Sequence, residues 1–175
     1  RGQPPGPGAG TAANAPTYSA PAASTERVLT EPDPHMARGR REKLAAEPPR
    51  PPYEVVESGA ERLPFDDGTI DCVVSTFTLC SIAGVGRALG EAHRVLKPGG
   101  RFLFFEHGLS PQPSVRWRQR RLTWLEMRLA DGCRLDRDIR GIVTAQPFSS
   151  VGIDQFYMSG LPKTHGYMSR GVATK

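Results

Sequence analysis

The sequence predicts an α/β fold with a mostly parallel β-sheet. Two runs of β-branched and apolar residues, TIDCVVSTFTL and RFLFFEH, are too short for buried helices and predict buried strands. Between them, GVGRALGEAHRVL places its apolar residues on one helical face and ends at the Pro-Gly stop KPGG. Strands that alternate with amphipathic helices are typical of βαβ units and parallel sheets.

The other elements follow in chain order. The Gly- and Pro-rich opening, residues 1–25, predicts an irregular segment. Val28 and Leu29 form the core of a short strand that ends at Glu31. HMARGRREKLAAE predicts a helix that stops before two prolines, YEVVE predicts a second short strand, and SVRWRQRRLTWLEMRLADG predicts a helix near residues 114–132.

Composition excludes several classes of protein. The net charge of +5 is typical of a soluble surface, and no stretch of about 18 apolar residues predicts a membrane span. No signal peptide and no nucleic-acid-binding motif are recognised. Cys72, Cys80 and Cys133 are odd in number and lack metal-ligand spacing, so we expect no disulfide scaffold, no metal and a cytoplasmic location. Because the chain begins with Arg1, we interpret it as a fragment.

Polar residues follow four of the predicted strands. They are Glu31, the Ser58–Glu61 segment, the Thr76–Ser81 segment and the Glu106–Gly108 segment. At any single strand end, such residues can simply mark the end of the strand. Four together favour a cofactor crevice, because ligands of open parallel sheets lie beyond the carboxyl ends of the strands.

A glycine-rich loop strengthens that interpretation. Gly6, Gly8 and Gly10 form G-x-G-x-G, which lets a backbone turn sharply and approach a ligand closely. Glu31 lies 21 residues after Gly10, where a carboxylate can accept hydrogen bonds from ribose hydroxyls. Asp33 competes for that role. The absence of G-K-[ST] argues against a nucleoside triphosphate.

The paired motifs LPFDDGTIDCVV and RVLKPGGRFLFFEH resemble those of class I S-adenosylmethionine-dependent methyltransferases, and the resemblance extends from about Gly6 to Lys175. The chain is most similar to the branch that methylates quinones, phospholipids or thiols, and LCS and GCRLDRDI resemble membrane-associated thiol methyltransferases. The resemblance implies S-adenosyl-L-methionine as cofactor. It also implies a three-layer Rossmann-like sheet, mostly parallel with an antiparallel C-terminal strand.

The resemblance also implies roles for single residues. Gly6, Gly8 and Gly10 match the loop under the methionine part of the cofactor, and Glu31 matches the ribose ligand. The segment expected beside adenine consists of Gly59, Ala60 and Glu61. The positions expected near the sulfonium are Thr76 and Phe77. Cys80 and His107 are substrate-side candidates, although a small buried hydrophobe and a hydrogen-bonded turn residue are the alternative interpretations. No catalytic base is identified.

The expected domain is single and covers residues 1–175. It comprises the glycine loop segment 1–25, a cofactor-binding core 26–110, and substrate-side helices with C-terminal strands over 111–175. One departure concerns the start: Pro4 stands where the family has an acidic residue, and RGQPP cannot be a central strand. We therefore expect the first strand to be missing and its two neighbours to have unpaired edges.

Three functions are compatible with these features. The first is methyl transfer to a small, lipophilic acceptor. The second is an inactive, truncated remnant that serves as a cofactor-binding or interaction module. The third is a dinucleotide-dependent oxidoreductase, in which LPFDDGTIDCVV and RVLKPGG would have no role.

The predicted helix near residues 114–132 has two unlike faces. One face carries leucines and valine, namely Val115, Leu122, Leu125 and Leu129, and we expect it to pack on the domain. The other carries Trp117, Arg120, Arg121, Trp124 and Arg128. This second face predicts peripheral contact with an anionic membrane or with an acidic substrate. The alternative is a helix packed on both sides.

Overall fold

The computed structural model describes residues 27–46, 53–130 and 132–175. The chain divides into two compact units, Arg1–Gly59 and Ala60–Lys175. The glycine loop with Gly6, Gly8 and Gly10 lies outside the described residues, and so does the segment in which the first strand is expected to be missing. The expectation of a single domain over residues 1–175 stays a prediction.

The first unit contains two parallel strands and one helix. Strands β1 (Arg27–Thr30) and β2 (Tyr53–Val56) pair in register, and helix α1 (Pro34–Ala46) packs against β2. The sequence predicts all three elements. Helix α1 begins after Asp33, whose Oδ1 accepts hydrogen bonds from the backbone N–H groups of His35 and Met36 at 2.8 and 3.2 Å. Asp33 is thus the N-cap of α1.

The second unit is built on a four-stranded sheet. Its elements are β3 (Ile70–Thr76), α2 (Val85–Val95), β4 (Leu96–His107), α3 (Pro113–Leu129), α4 (Ile139–Thr144), β5 (Ser150–Tyr157) and β6 (Tyr167–Thr174). The strand order is β3-β4-β6-β5, in which β3 and β4 are parallel and β6 is antiparallel to both its neighbours. This confirms the prediction of a mostly parallel arrangement with an antiparallel C-terminal strand.

The core of the second unit lies where α2 and α4 pack on the sheet. The predicted apolar face of α2 is buried, and it contacts Phe102 and Phe104 of β4 together with Ile139 and Val143 of α4. Each large apolar side chain buried there contributes roughly 1.5–3 kcal/mol. The short helix α4 was not predicted, because six residues carry too little periodicity.

Both sheets have unpaired edges within the described ranges. There, β1 pairs only with β2, and β3 pairs only with β4. Because the segment expected to precede the glycine loop lies outside the described residues, the expected loss of pairing beside the first strand stays a prediction. In the described ranges, no helix combines the length and the apolar character needed to cross a bilayer.

The predicted packing face of α3 is only partly correct. Val115 is buried and Leu122 and Leu125 are half-buried, but Leu129 is 68% exposed, and the other buried positions are Gln119 and Thr123. The Gln119 side chain accepts a hydrogen bond from the Ser110 N–H and donates to two backbone carbonyls, those of Gly108 and Thr164. Buried backbone groups of loops need partners, and this amide meets that need where a leucine could not.

Candidate functional site

Glu31 lies directly after β1, at the carboxyl end of the strand where the sequence places it. Its N–H donates to the Val56 carbonyl at 3.0 Å, and its Oε1 accepts from the Asp33 N–H at 3.1 Å. The carboxylate is fully buried and forms an ion pair with Arg40 of α1, which is also buried. Burial lowers the pKa of Arg40, and the charge of Glu31 opposes that shift. Glu31 is thus already paired with Arg40 in the fold, independently of the ribose contact that the sequence predicts.

Asp33, the competing ribose candidate, has a different position. Both of the hydrogen bonds that its Oδ1 accepts come from the first turn of α1. Its carboxylate therefore serves the helix N-terminus, which favours negative charge. Because Glu31 is buried and ion-paired while Asp33 is half-exposed and caps a helix, which of the two binds a ribose stays a prediction.

The predicted adenine segment has structural contacts of its own. Gly59 closes the first unit, while Ala60 and Glu61 open the second. Ala60 packs against the apolar core, and Glu61 Oε1 accepts from the N–H of Gly84, the N-cap of α2, at 3.3 Å. Whether these residues also lie beside adenine stays a prediction.

A single arginine contacts three residues of the LPFDD motif, which spans residues 63–67. Arg94 of α2 donates to the carbonyls of Leu63 and Phe65 and forms ion pairs with Asp67 and Glu91. Glu91 in turn accepts from the Leu63 N–H at 2.9 Å. The hydrogen bonds from Arg94 lower the pKa of Glu91 to about 2, although burial opposes the shift. This clamp fixes the loop that leads into β3.

The end of β3 exposes an aromatic ring in a strained conformation. Phe77 has a φ of 51° and is 48% exposed, and its N–H donates to the Phe105 carbonyl at 3.0 Å. Its ring meets Phe105 edge-on at 5.4 Å between centroids and stacks with His107 at 6.4 Å. A bulky residue at positive φ is unusual and tends to occur at functional sites. Thr76 precedes it as the last residue of β3.

Glu106 holds the turn that follows β3. Its Oε1 accepts from the Ser75 hydroxyl at 2.8 Å and from the Thr78 N–H at 3.0 Å, and the residue is fully buried. Burial raises the pKa of this carboxyl, while the hydrogen bonds from Thr78 and Ser75 oppose the shift. The sequence marks Glu106 as a polar strand end but does not reveal this role.

The structure brings the two substrate-side candidates together and adds a third residue. The ligand atoms of Cys80, His107 and Cys133 all lie within 4.8 Å of one another. His107 Nε2 is 3.1 Å from Cys133 Sγ. Cys80 and His107 are buried, and Cys133 is half-buried. We call these three residues the Cys-His-Cys cluster. Sequence spacing missed Cys133, because the three residues come from separate segments of the chain.

Hydrogen bonds and burial both shift the pKa values of the three residues in the cluster. A hydrogen bond with Cys133 and then burial raise the pKa of Cys80, and the same hydrogen bond lowers the pKa of Cys133. Burial lowers the pKa of His107, but its hydrogen bond with Cys80 and the neighbouring charges outweigh burial, so the pKa is raised. The three groups therefore titrate as a coupled set.

The GCRLDRDI segment holds the cluster in place. Arg137 is buried and donates to the carbonyls of Leu79 and Ile82, on either side of Cys80. The Arg134 N–H donates to the Cys80 carbonyl at 3.0 Å, and the Leu109 N–H donates to the Arg137 carbonyl at 2.8 Å. The segment thereby ties together the loops that follow β3 and β4.

Comparison with known proteins identifies the family. The model of the family described as methyltransferase domain matches residues 6–104, more than half of the chain. The chain belongs to the class I S-adenosylmethionine-dependent methyltransferases. S-adenosylmethionine is the cofactor that this membership implies.

Several relatives are similar over shorter or longer stretches. Human thiol S-methyltransferase TMT1B is 33% identical over 153 residues, which cover 85% of this chain and 60% of the relative. The rat protein of the same name is 36% identical over 102 residues, 57% of this chain and 41% of the relative. A mitochondrial 2-methoxy-6-polyprenyl-1,4-benzoquinol methylase of Dictyostelium discoideum is 40% identical over 67 residues, 38% of this chain and 21% of the relative. The chain thus spans less than two thirds of each of these relatives.

Solved structures support the fold. A possible histamine N-methyltransferase from Thermotoga maritima has a TM-score of 0.61 at 19% identity, covering 83% of this chain and 72% of the other. The [4+2]-cyclase SpnF has a TM-score of 0.69 at 16% identity, covering 96% and 72%. A cyclase among these neighbours illustrates that the fold by itself does not identify the reaction.

Proposed function

We propose that this chain transfers a methyl group from S-adenosylmethionine to the sulfur of a small, lipophilic thiol. The observation that carries the proposal is the 33% identity with human thiol S-methyltransferase over 153 residues. Because that alignment covers 85% of the chain, it continues beyond β4 into the residues that follow the cofactor motifs. The quinol methylase matches only 67 residues, so it supports the family more than the acceptor.

The proposed reaction is a direct displacement. The acceptor thiol loses its proton to solvent or to a base, and the thiolate attacks the methyl carbon of the sulfonium. The carbon–sulfur bond of the cofactor breaks, its electron pair returns to the cofactor sulfur, and a neutral thioether leaves as S-adenosylhomocysteine. The protein mainly aligns the two sulfurs, which is a proximity effect.

We assign the residues as follows within that proposal. Glu31 accepts hydrogen bonds from the ribose hydroxyls, and Ala60 offers a small surface to adenine. Phe77 contacts the methionine part of the cofactor, a role that its exposed ring and its position after β3 support. His107, which stacks with Phe77, is on the acceptor side.

An acceptor test separates sulfur from oxygen. The purified chain is incubated with S-adenosylmethionine and either 1-octanethiol or 1-octanol, which differ only in the acceptor atom. We expect octyl methyl sulfide and S-adenosylhomocysteine in equal amounts by mass spectrometry, and no methyl ether. If neither compound is methylated although the folded chain binds the cofactor, the proposed thiol activity is wrong.

We further propose that α3 rests on an anionic membrane surface. Trp117 and Trp124 are each 59% exposed, so neither lies in a core. The Arg121 guanidinium lies 4.8 Å from the Trp117 ring centroid, and that of Arg128 lies 5.5 Å from the Trp124 ring centroid. Indole rings and arginines suit the boundary between headgroups and acyl chains.

A further inference from the structure

We propose that the Cys-His-Cys cluster binds one Zn²⁺ ion. Two thiol sulfurs and one imidazole nitrogen form a soft ligand set that zinc proteins use repeatedly. Ideal tetrahedral zinc geometry separates such ligand atoms by about 3.5–3.8 Å. In this chain the three ligand atoms lie within 4.8 Å of one another, and His107 Nε2 lies 3.1 Å from Cys133 Sγ. No separation among the three ligand atoms exceeds the ideal by more than about 1 Å.

The fold fixes the three ligands before any metal arrives. Cys80 lies between the two carbonyls that accept from Arg137, and its own carbonyl accepts from the Arg134 N–H. His107 is the last residue of β4 and pairs with Met168 of β6. The Cys133 N–H donates to the Ala130 carbonyl at 3.0 Å, just after α3 ends. Such preorganisation lowers the entropic cost of binding an ion.

The surroundings favour a soft metal over a hard one. The carboxylates whose charges act on both His107 and Cys133 are Glu106 and Glu126. Both have other partners: Glu106 accepts from Ser75 and Thr78, and Glu126 pairs with His165. Calcium and magnesium require several oxygen ligands. A sulfur-rich set therefore points to Zn²⁺.

Three protein ligands leave a fourth position for an outside ligand. Among residues 27–46, 53–130 and 132–175, the potential ligand group contains these three residues only. Structural zinc sites usually have four protein ligands, whereas catalytic sites have three and keep one position open. The cluster also joins the carboxyl ends of β3 and β4, the edge at which α/β proteins bind their ligands.

A disulfide between Cys80 and Cys133 is the competing arrangement. It would need an oxidant, and it would not use the imidazole of His107. Metal binding uses all three side chains. The two arrangements are distinguishable, because a reduced protein can bind metal and an oxidised pair cannot.

The test measures metal binding directly, without cofactor or substrate, so its outcome is independent of the proposed methyl transfer. The full chain is purified under reducing conditions, and its zinc content is measured before it is titrated anaerobically with Co²⁺. We expect about one metal ion per chain, with the near-ultraviolet band of thiolate-to-cobalt charge transfer and the visible bands of tetrahedral Co²⁺. Added Zn²⁺ should abolish both sets of bands.

Single variants identify the ligands. Cys80→Ser and Cys133→Ser should each weaken or remove the charge-transfer band, and His107→Gln should reduce the affinity while both sulfurs still bind. Cys72→Ser is the matched control, since Cys72 is exposed and outside the cluster, and it should bind metal like the unchanged chain. Circular dichroism shows that each variant is folded.

Three results would overturn the proposal. One is a reduced, folded chain that binds neither Co²⁺ nor Zn²⁺ at micromolar concentrations. The second is a Cys72→Ser variant that loses as much metal as Cys80→Ser. The third is a Cys80–Cys133 disulfide found by mass spectrometry in a chain that takes up no metal after reduction, which would assign the cluster to redox chemistry instead.

Discussion

The Glu31 carboxylate forms an ion pair with the Arg40 guanidinium, and the sequence predicts that it also binds a ribose. Both members of the ion pair are buried, at 0% and 2% side-chain exposure. Burying a charge is costly unless it is paired, so each member depends on the other. A residue that the sequence predicts as a ribose ligand is thus also part of the fold.

The first prediction follows from that pairing. Glu31→Ala should lower the free energy of unfolding by about 3–5 kcal/mol, because Arg40 is left buried without its counter-charge. The double variant Glu31→Leu with Arg40→Met should recover most of that loss. Urea denaturation of each purified variant measures the difference.

A matched control is the exposed pair of Arg41 and Glu57, with side chains 48% and 43% exposed. Glu57→Ala should cost less than about 1 kcal/mol, since solvent screens the pair. Equal losses in Glu31→Ala and Glu57→Ala would show that the buried pair is not what stabilises this unit.

The second prediction concerns Glu91 and acid. Its pKa in the folded chain is about 2, below its ordinary value of 4.5, because Arg94 donates to it. A lowered carboxyl pKa contributes stability that is fully present above pH 4.5 and is lost as the pH falls towards 2. The free energy of unfolding should therefore decrease across that window, and Glu91→Gln should show a shallower decrease. Parallel curves for the two proteins would contradict the assignment.

In helix α3, the stripe of apolar residues in the sequence differs in part from the face that is buried in the fold. Its leucines suggest one face, whereas the loops that it covers present carbonyls and N–H groups that need polar partners. Gln119 supplies them with three hydrogen bonds of 2.9–3.0 Å. The helix therefore docks through an amide flanked by Val115 and Thr123.

The third prediction tests this docking. Gln119→Leu should destabilise the chain by roughly 2–4 kcal/mol, because it leaves buried backbone groups without partners. Leu129→Ala, at a position 68% exposed on the same helix, should change the free energy of unfolding by less than about 0.5 kcal/mol. If Leu129→Ala were the more damaging change, the leucine face would be the packed one after all.

The fourth prediction concerns the surface of α3. The chain should co-sediment with vesicles of phosphatidylserine and phosphatidylcholine, less with phosphatidylcholine alone, and less at high salt. Each arginine near an anionic surface contributes about 1 kcal/mol. The triple variant Arg120/Arg121/Arg128→Ala should therefore lose most of the binding.

The control for that experiment is Arg140→Ala, which removes an exposed arginine from α4. Its binding should match that of the unchanged chain. No sedimentation with anionic vesicles at low salt, or equal loss in both arginine variants, would leave α3 without a membrane role.

At the scale of the whole molecule, the decisive property is cofactor binding. A ligand that binds only the folded chain stabilises it, by about 2.7 kcal/mol at one hundred times its Kd. For a chain of this length that corresponds to a Tm increase of about 5–10 °C.

The fifth prediction is that S-adenosylmethionine and S-adenosylhomocysteine both raise the Tm of the full chain. Glu31→Gln should weaken binding about tenfold or more, because charge-assisted hydrogen bonds to the ribose contribute roughly 1.5–3 kcal/mol. Asp33→Asn keeps the helix cap and should leave the affinity unchanged. Calorimetry measures both variants, and weaker binding in Asp33→Asn alone would transfer the ribose site to Asp33.

Much of this protein is determined by its sequence alone. The strands through Val28, Val55, Val73 and Phe102 and the helices α1, α2 and α3 follow from local patterns, because periodicity and turn residues act over a few neighbouring positions. The family likewise follows from LPFDDGTIDCVV and RVLKPGGRFLFFEH, since both motifs are contiguous.

Only the tertiary structure decided which distant residues meet. The ion pair of Glu31 and Arg40, the clamp of Arg94 on the LPFDD loop, and the docking of α3 through Gln119 all join separate segments. The same holds for the Cys-His-Cys cluster, whose members lie up to 53 positions apart along the chain, from residue 80 to residue 133. Such contacts depend on how the sheet places the ends of its strands, and no local pattern in the sequence encodes that placement.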